Sequence, residues 1–279
     1  MVSGKKYSGR ASLALMGGGA VLAVAVIVIV TVAVVGDGAS RSDQASAAGP
    51  VSQPVPIAPT VAAGFAGTDK DSFGHPFDIP KEPAGQVLSQ FGGPRTPTDP
   101  EWQTAAPGGM DQQGGWQRVY GGPVIPFSTT DGPARIADGV PLGFTKTPQG
   151  AVLAAEQIYW RTVARPTDRT LWQQLVILTP EEFADRERKI AEGKVPNVLP
   201  ESAKPLLFAS DAFRIESYGD DFAVVRIARK TRDFLHGGRS WVAMRLNVVW
   251  RDGAWKLKSS ASDAQPLETI GSIDGWTQW

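Results

Sequence analysis

The spacing of apolar and polar positions changes several times along the chain, and each change marks a different kind of segment. Residues 11–36 carry no charged side chain, and the second half of the run is almost wholly Val, Ile, Ala and Leu. An apolar stretch of about 20 residues is long enough, as a helix, to cross a bilayer. Residues 37–114 show neither helical nor strand period and read as a disordered tether. From residue 147 the helical period sets in. Thr147 and Pro148 supply an N-cap and a first helical residue, and Val152, Ala155, Ile158, Tyr159, Thr162 and Val163 mark one apolar face. Pro166 ends that helix. A shorter apolar segment, 171–178, precedes Thr179-Pro180-Glu181-Glu182, a capping box that opens a further helix toward Glu192, with Gly193 at its C-terminal cap.

After residue 206 the period becomes alternating. Phe213 and Ile215 alternate with Arg214 and Glu216, and Gly219-Asp220-Asp221 makes a turn into the β-branched run from Phe222. Val242, Met244, Leu246, Val248 and Trp250 share one face of a long strand, and Asp252-Gly253 is a strong hairpin signal. The order of elements predicts an α+β domain: about three helices packed on a curved antiparallel sheet of about four strands. Its expected limits are 115–279, behind a short tail at 1–10, the membrane helix at 11–36 and the tether at 37–114. Within the domain, 116–140 reads as irregular chain with one short strand, held to an edge by Pro123 and Pro126.

Charge then fixes a direction. Lys5, Lys6 and Arg10 precede the apolar run and Asp37 follows it, so the N-terminus stays in the cytoplasm and the remainder lies outside the cell membrane. A cleaved signal peptide would need its small-residue site close behind the apolar core. The Ala45-Ser46-Ala47-Ala48 segment lies about ten residues beyond it, so a retained anchor is expected. Of the 22 prolines, 14 fall between Asp37 and Asp138. Such chain buries little apolar surface and extends by up to about 3.1 Å per residue, enough to carry a domain across a wall layer. Inside the tether Phe65, Phe73, Phe77 and Ile79 gather around Asp69, Asp71 and His75. This is either a short docking motif or a locally collapsed linker.

Basic and acidic residues balance at 28 each, with no basic stripe of the kind that binds nucleic acid. There are no cysteines and two histidines, which removes thiol nucleophiles, thiolate metal sites and histidine-rich metal sites. No nucleophile elbow, phosphate-binding loop or paired-histidine zinc motif occurs. No catalytic residue, cofactor or metal is therefore expected. Of the nine tryptophans, Trp102, Trp116, Trp276 and Trp279 lie outside periodic segments and are the candidate partner contacts. Tyr159 and Trp250 face each other across helix and sheet, as core or as the lining of a pocket.

The helices followed by a meander closing on VVWRDGAWKL resemble the nuclear-transport-factor-two-like cone over about residues 147–260. The stretch GVPLGFTKTPQGAVLAAEQIYW at 139–160, with GGPVIPFSTTDGP before it, is similar to a family of actinobacterial single-pass membrane proteins. Those are encoded near conjugation and mobile-element genes, and their outer domains resemble type IV secretion scaffold subunits. The resemblance implies a non-enzymatic, membrane-anchored scaffold or accessory component of an envelope complex. Its partners would be the membrane and other envelope or secretion proteins, with self-association left open. The alternative is a module that binds a wall polymer or small ligand in the cone's pocket.

Overall fold

The computed structural model describes residues 64–259 and 267–279. Lys5, Lys6 and Arg10, the apolar run at 11–36 and the first part of the expected tether lie outside the described residues. Among the described residues no helix is long and apolar enough to cross a membrane.

The expected tether does not continue to residue 114. β1 (Phe65–Lys70) and β2 (Pro76–Pro80) form an antiparallel hairpin, β2 runs parallel to β3 (Trp116–Arg118), and β3 pairs antiparallel with β4 (Val124–Pro126). β5 (Arg135–Ala137) and β6 (Val140–Leu142) make a separate small hairpin. Next come the helices, α1 (Pro148–Ala164) and α2 (Arg169–Leu175), then β7 (Val176–Ile177) and α3 (Pro180–Ala191). The chain ends in β8 (Ala212–Tyr218), β9 (Phe222–Lys230), β10 (Trp241–Arg251), β11 (Ala254–Lys258), β12 (Glu268–Ile270) and β13 (Thr277–Gln278). These form a seven-stranded sheet in the order β13-β8-β9-β10-β11-β7, with β12 paired to one end of β10.

The expected fold is thus corrected. Instead of a disordered tether and a cone of about four strands, the described residues hold three α-helices and 13 strands in three sheets. The reason lies in α1. It starts as its sequence asks, with the Thr147 hydroxyl accepting a hydrogen bond from the Gly150 amide at 2.9 Å. Yet every one of its residues is buried, including Gln149, Glu156, Gln157 and Arg161 at 0% exposure. A helix with one apolar face would leave that polar set in water. Here the seven-stranded sheet covers one side, and the chain from residue 64 to 144 covers the other.

Side chains of α1 hold this second layer by its backbone. Gln149 Nε2 donates to the carbonyls of Trp102 (3.0 Å) and Ala105 (3.1 Å). Gln157 Nε2 donates to Pro126 O at 2.6 Å. Arg161 donates through Nη1 to Ala84 O at 2.7 Å, and through Nε and Nη2 to Gln157 Oε1 at 3.1 and 2.9 Å. Gln117, fully buried in β3, accepts from the Gln86 amide and donates to the Gln86 and Gly114 carbonyls at 2.7 to 2.8 Å. Buried Asp131 ties the layer to the start of α1, its carboxylate accepting from the hydroxyls of Thr130 (2.6 Å), Thr145 (2.8 Å) and Thr147 (2.9 Å). A buried backbone group must find a partner. In this layer side chains supply many of the partners that a ladder supplies elsewhere.

The space between α1 and the large sheet is filled. Val152, Leu153, Ile158, Phe213, Val225 and Val248 are all at 0% exposure in one continuous core. A smaller cluster of Phe77, Met110, Trp116, Val124 and Ala209 sits in the second layer, and Trp279 packs against both.

A candidate binding groove between the hairpin and Trp279

The β1–β2 turn is fixed by one carboxylate. Asp71, 9% exposed, accepts from the amides of Phe73 (2.9 Å) and His75 (3.0 Å) through Oδ1 and from the distant Ala209 amide (3.0 Å) through Oδ2. This pins the turn to the chain entering β8 and sets the His75 ring edge-on to Trp116, with centroids 4.8 Å apart. Trp116 is in turn edge-on to Trp279 at 5.9 Å, and Trp279 tilts against Phe213 at 4.7 Å. Below, Asp78 accepts from the Gly114 amide at 2.6 Å and holds the 106–113 loop beside the hairpin.

The result is a groove of about 560 Å³. Its apolar walls include Phe77, Met110, Trp116 and Trp279, and the exposed side chains of Asp111, Gln112 and Gln113 stand at its rim. The lining includes the carboxylates of Asp78 and Asp111 and no lysine or arginine. Burial, helped by Lys230, pulls the His75 imidazole below its ordinary value, against the opposing pull of Asp71 and Asp211. Its Nε2 and the Trp279 Nε1 are buried without a partner among the described residues.

A second polar cluster lies in the interior. Glu156 Oε1 accepts from Ser210 Oγ at 2.9 Å and from Arg229 Nη2. The Arg229 guanidinium sits 4.2 Å over the Trp160 ring and also donates to Phe208 O. Glu156 Oε2, the Tyr159 hydroxyl and Trp160 Nε1 find no partner among the described residues. Burial pushes the Tyr159 phenol far up, so it stays protonated. None of these groups lines the groove. Among the described residues no three His, Cys, Asp or Glu side chains are grouped to hold a metal.

Of the candidate partner tryptophans, Trp116 and Trp279 come together at the groove. Trp102 is edge-on to Tyr218 at 5.8 Å, and Trp276 lies under the Arg226 guanidinium at 5.5 Å. Neither lines the groove. Tyr159 belongs to the core, whereas Trp250 is half-buried beside Trp255, at 5.2 Å. Trp255, at 1% exposure and donating to Thr145 O at 2.9 Å, is the hairpin's buried indole. His75, Met110 and Gln113 were not singled out as site residues from the sequence. The available signal was the apolar cluster around Asp71 and His75, whose Phe77 and His75 the structure places in the groove.

The fold and groove define a three-sheet domain built around one buried helix, with a surface recess walled by aromatic side chains. Residues 78–278 match the model of a family described as a domain of unknown function, DUF8175, and the chain belongs to that family. The match indicates no enzymatic family. No curated protein and no solved structure matches. β1, the turn carrying His75, and Trp279 all fall outside the matched span.

Proposed function

We propose that the protein is a non-catalytic docking component of an envelope complex, held at the outer face of the cell membrane and working through protein contacts. The observation that carries this reading is the groove. Two of the tryptophans outside the periodic segments meet on its wall with Phe77 and Met110, and a rim of amides and a carboxylate surrounds them. Aromatic residues and Met are enriched at protein interfaces, inside a polar rim. The helix–sheet interior is filled by core side chains, so the groove offers a partner more room than the interior does. The outward placement rests on the uncharged run at 11–36 behind Lys5, Lys6 and Arg10. The link to conjugation or secretion rests on the resemblance carried by residues 139–160.

The test is a photo-crosslinking residue at Gln113 of the full chain in native membranes. A discrete adduct to another protein is expected, and Trp279→Ala should remove it at a temperature below that variant's own, lowered melting point, where the domain is still folded. An adduct untouched by Trp279→Ala would overturn the groove as the contact site. Protease added to intact protoplasts should digest the domain. Its survival there would overturn the outward placement.

A further inference from the structure

Residues 44–68, between Asp43 and Asp69, contain no charged side chain and include Pro50, Pro54, Pro56 and Pro59. Pro56-Ile57-Ala58-Pro59 is a P-x-x-P sequence. Segments of this kind are pre-organised toward polyproline II, which leaves its backbone carbonyls free, and they dock in aromatic-lined grooves. The described chain begins at Gly64, a few residues downstream, against Gln86 and Lys81, and β1 brings it to the groove at Thr68. The Phe65 ring abuts Gly114, next to the rim residue Gln113, and Thr68 of β1 is itself in the lining. From Pro59 the chain therefore has only a few residues to retrace, at up to about 3.3 Å each.

We propose that the groove is occupied in cis by the proline-rich segment around residues 54–59, which any outside partner must displace. Three features select this occupant. The walls are Phe, Met, Pro and indole surfaces, which suit proline rings and the Val55 and Ile57 side chains. Gln112 and Gln113 place amide donors at the rim for carbonyls that proline-rich chain leaves unpaired. The titratable lining groups are Asp78, Asp111 and His75. With no lysine or arginine in the lining, the recess offers no charged partner to an anion and suits an uncharged segment. A short tether also supplies an effective concentration in the millimolar range, enough to populate even a weak contact. The inference rests on the groove being the contact site and adds how that site is regulated.

The chain has no cysteine, so a pair of introduced thiols reads the contact without background. In the full chain, Ile57→Cys with Gln113→Cys should form a disulfide within one molecule on mild oxidation. It should form about tenfold or more faster than a control pair, Ile57→Cys with Asp252→Cys, given the gain in effective concentration at a true contact. Asp252 is exposed on the β10–β11 turn, at the opposite end of β10 from Trp241, which packs through Phe234 toward Phe73 of the β1–β2 turn. Replacing Pro54, Pro56 and Pro59 with Gly in the first pair should bring its rate down to the control's.

Equal rates for the two pairs would overturn cis docking. So would a cross-link found mainly between chains, which would make a second copy the occupant. If the disulfide fails while Gln113 still captures another protein, the inference falls and the docking function stands. If the disulfide forms and no protein is captured, the cis contact stands and the docking function falls.

Discussion

At the scale of single residues, the groups without partners are the ones whose replacement is most informative. The Tyr159 hydroxyl is buried with no partner among the described residues, and leaving a buried polar group unpaired costs about 1–3 kcal/mol. Tyr159→Phe keeps the ring and deletes that liability. Its melting temperature is expected to be unchanged or a few degrees higher, since about 1 kcal/mol moves a domain of this size by roughly 2–4 °C. A clear fall would mean that the phenol has a functional or structural partner.

His75 makes the opposite kind of statement. Its folded-state value lies below the ordinary one, chiefly through desolvation, so just below pH 6.5 the unfolded chain binds more protons than the folded one. Its contribution to stability is complete above about pH 6.5 and is lost as pH falls toward the folded value. Thermal melts from neutral to mildly acid pH should show a steeper decline for the parent than for His75→Gln. Identical slopes would show that the imidazole is solvated in the folded state.

At the scale of elements, α1 is a clamp as much as a core helix. Arg161 is fully buried, is held below its ordinary value by desolvation, and reaches Ala84 O on chain remote in sequence. Arg161→Ala removes those donors and strands Gln157 Oε1 and a buried carbonyl. Hydrogen bonds to a charged group are worth about 1.5–3 kcal/mol each, so a loss of roughly 3 kcal/mol is expected. Hydrogen exchange should quicken first around residues 84–86, not across β8 to β11. A uniform change would show that the arginine supports the core alone.

The same element shows what could be read from the sequence. The cap of α1, the capping box of α3 (Thr179 and Glu182, with both hydrogen bonds formed), the strands β8 to β11 and the Asp252-Gly253 turn are local signals. Each is legible because its cause lies within a few residues. The layer at 64–144 was legible only in its edge strand, β4, at Pro126. Its order comes from Gln149, Gln157, Arg161 and Gln117 meeting carbonyls that are remote in sequence, and such pairing leaves no period. β7, β12 and β13 are two or three residues long, too short to alternate. The groove was half legible. Trp116 and Trp279 stood out as aromatics without an element, but nothing local could pair them across the length of the domain.

At the scale of the whole molecule, the question is whether the proline-rich layer is a passenger or part of the domain. By its composition the chain before Gly115 is dispensable, and a fragment 115–279 should fold alone. The structure argues otherwise. Removing residues 64–114 would take the backbone acceptors of Gln149 and Arg161 and delete Phe65, Phe77, Ala105 and Met110, all less than 9% exposed. Burying a large apolar side chain is worth about 1.5–3 kcal/mol, against a usual total of about 5–15 kcal/mol. Three such residues and the lost hydrogen bonds would use up most of that margin. Fragment 64–279 is therefore expected to unfold in one cooperative transition, while 115–279 should melt far lower or without a transition. Scanning calorimetry of the two decides it. Equal transitions would show that residues 64–114 only decorate a domain that stands without them, and the groove would then owe its existence to a removable wall.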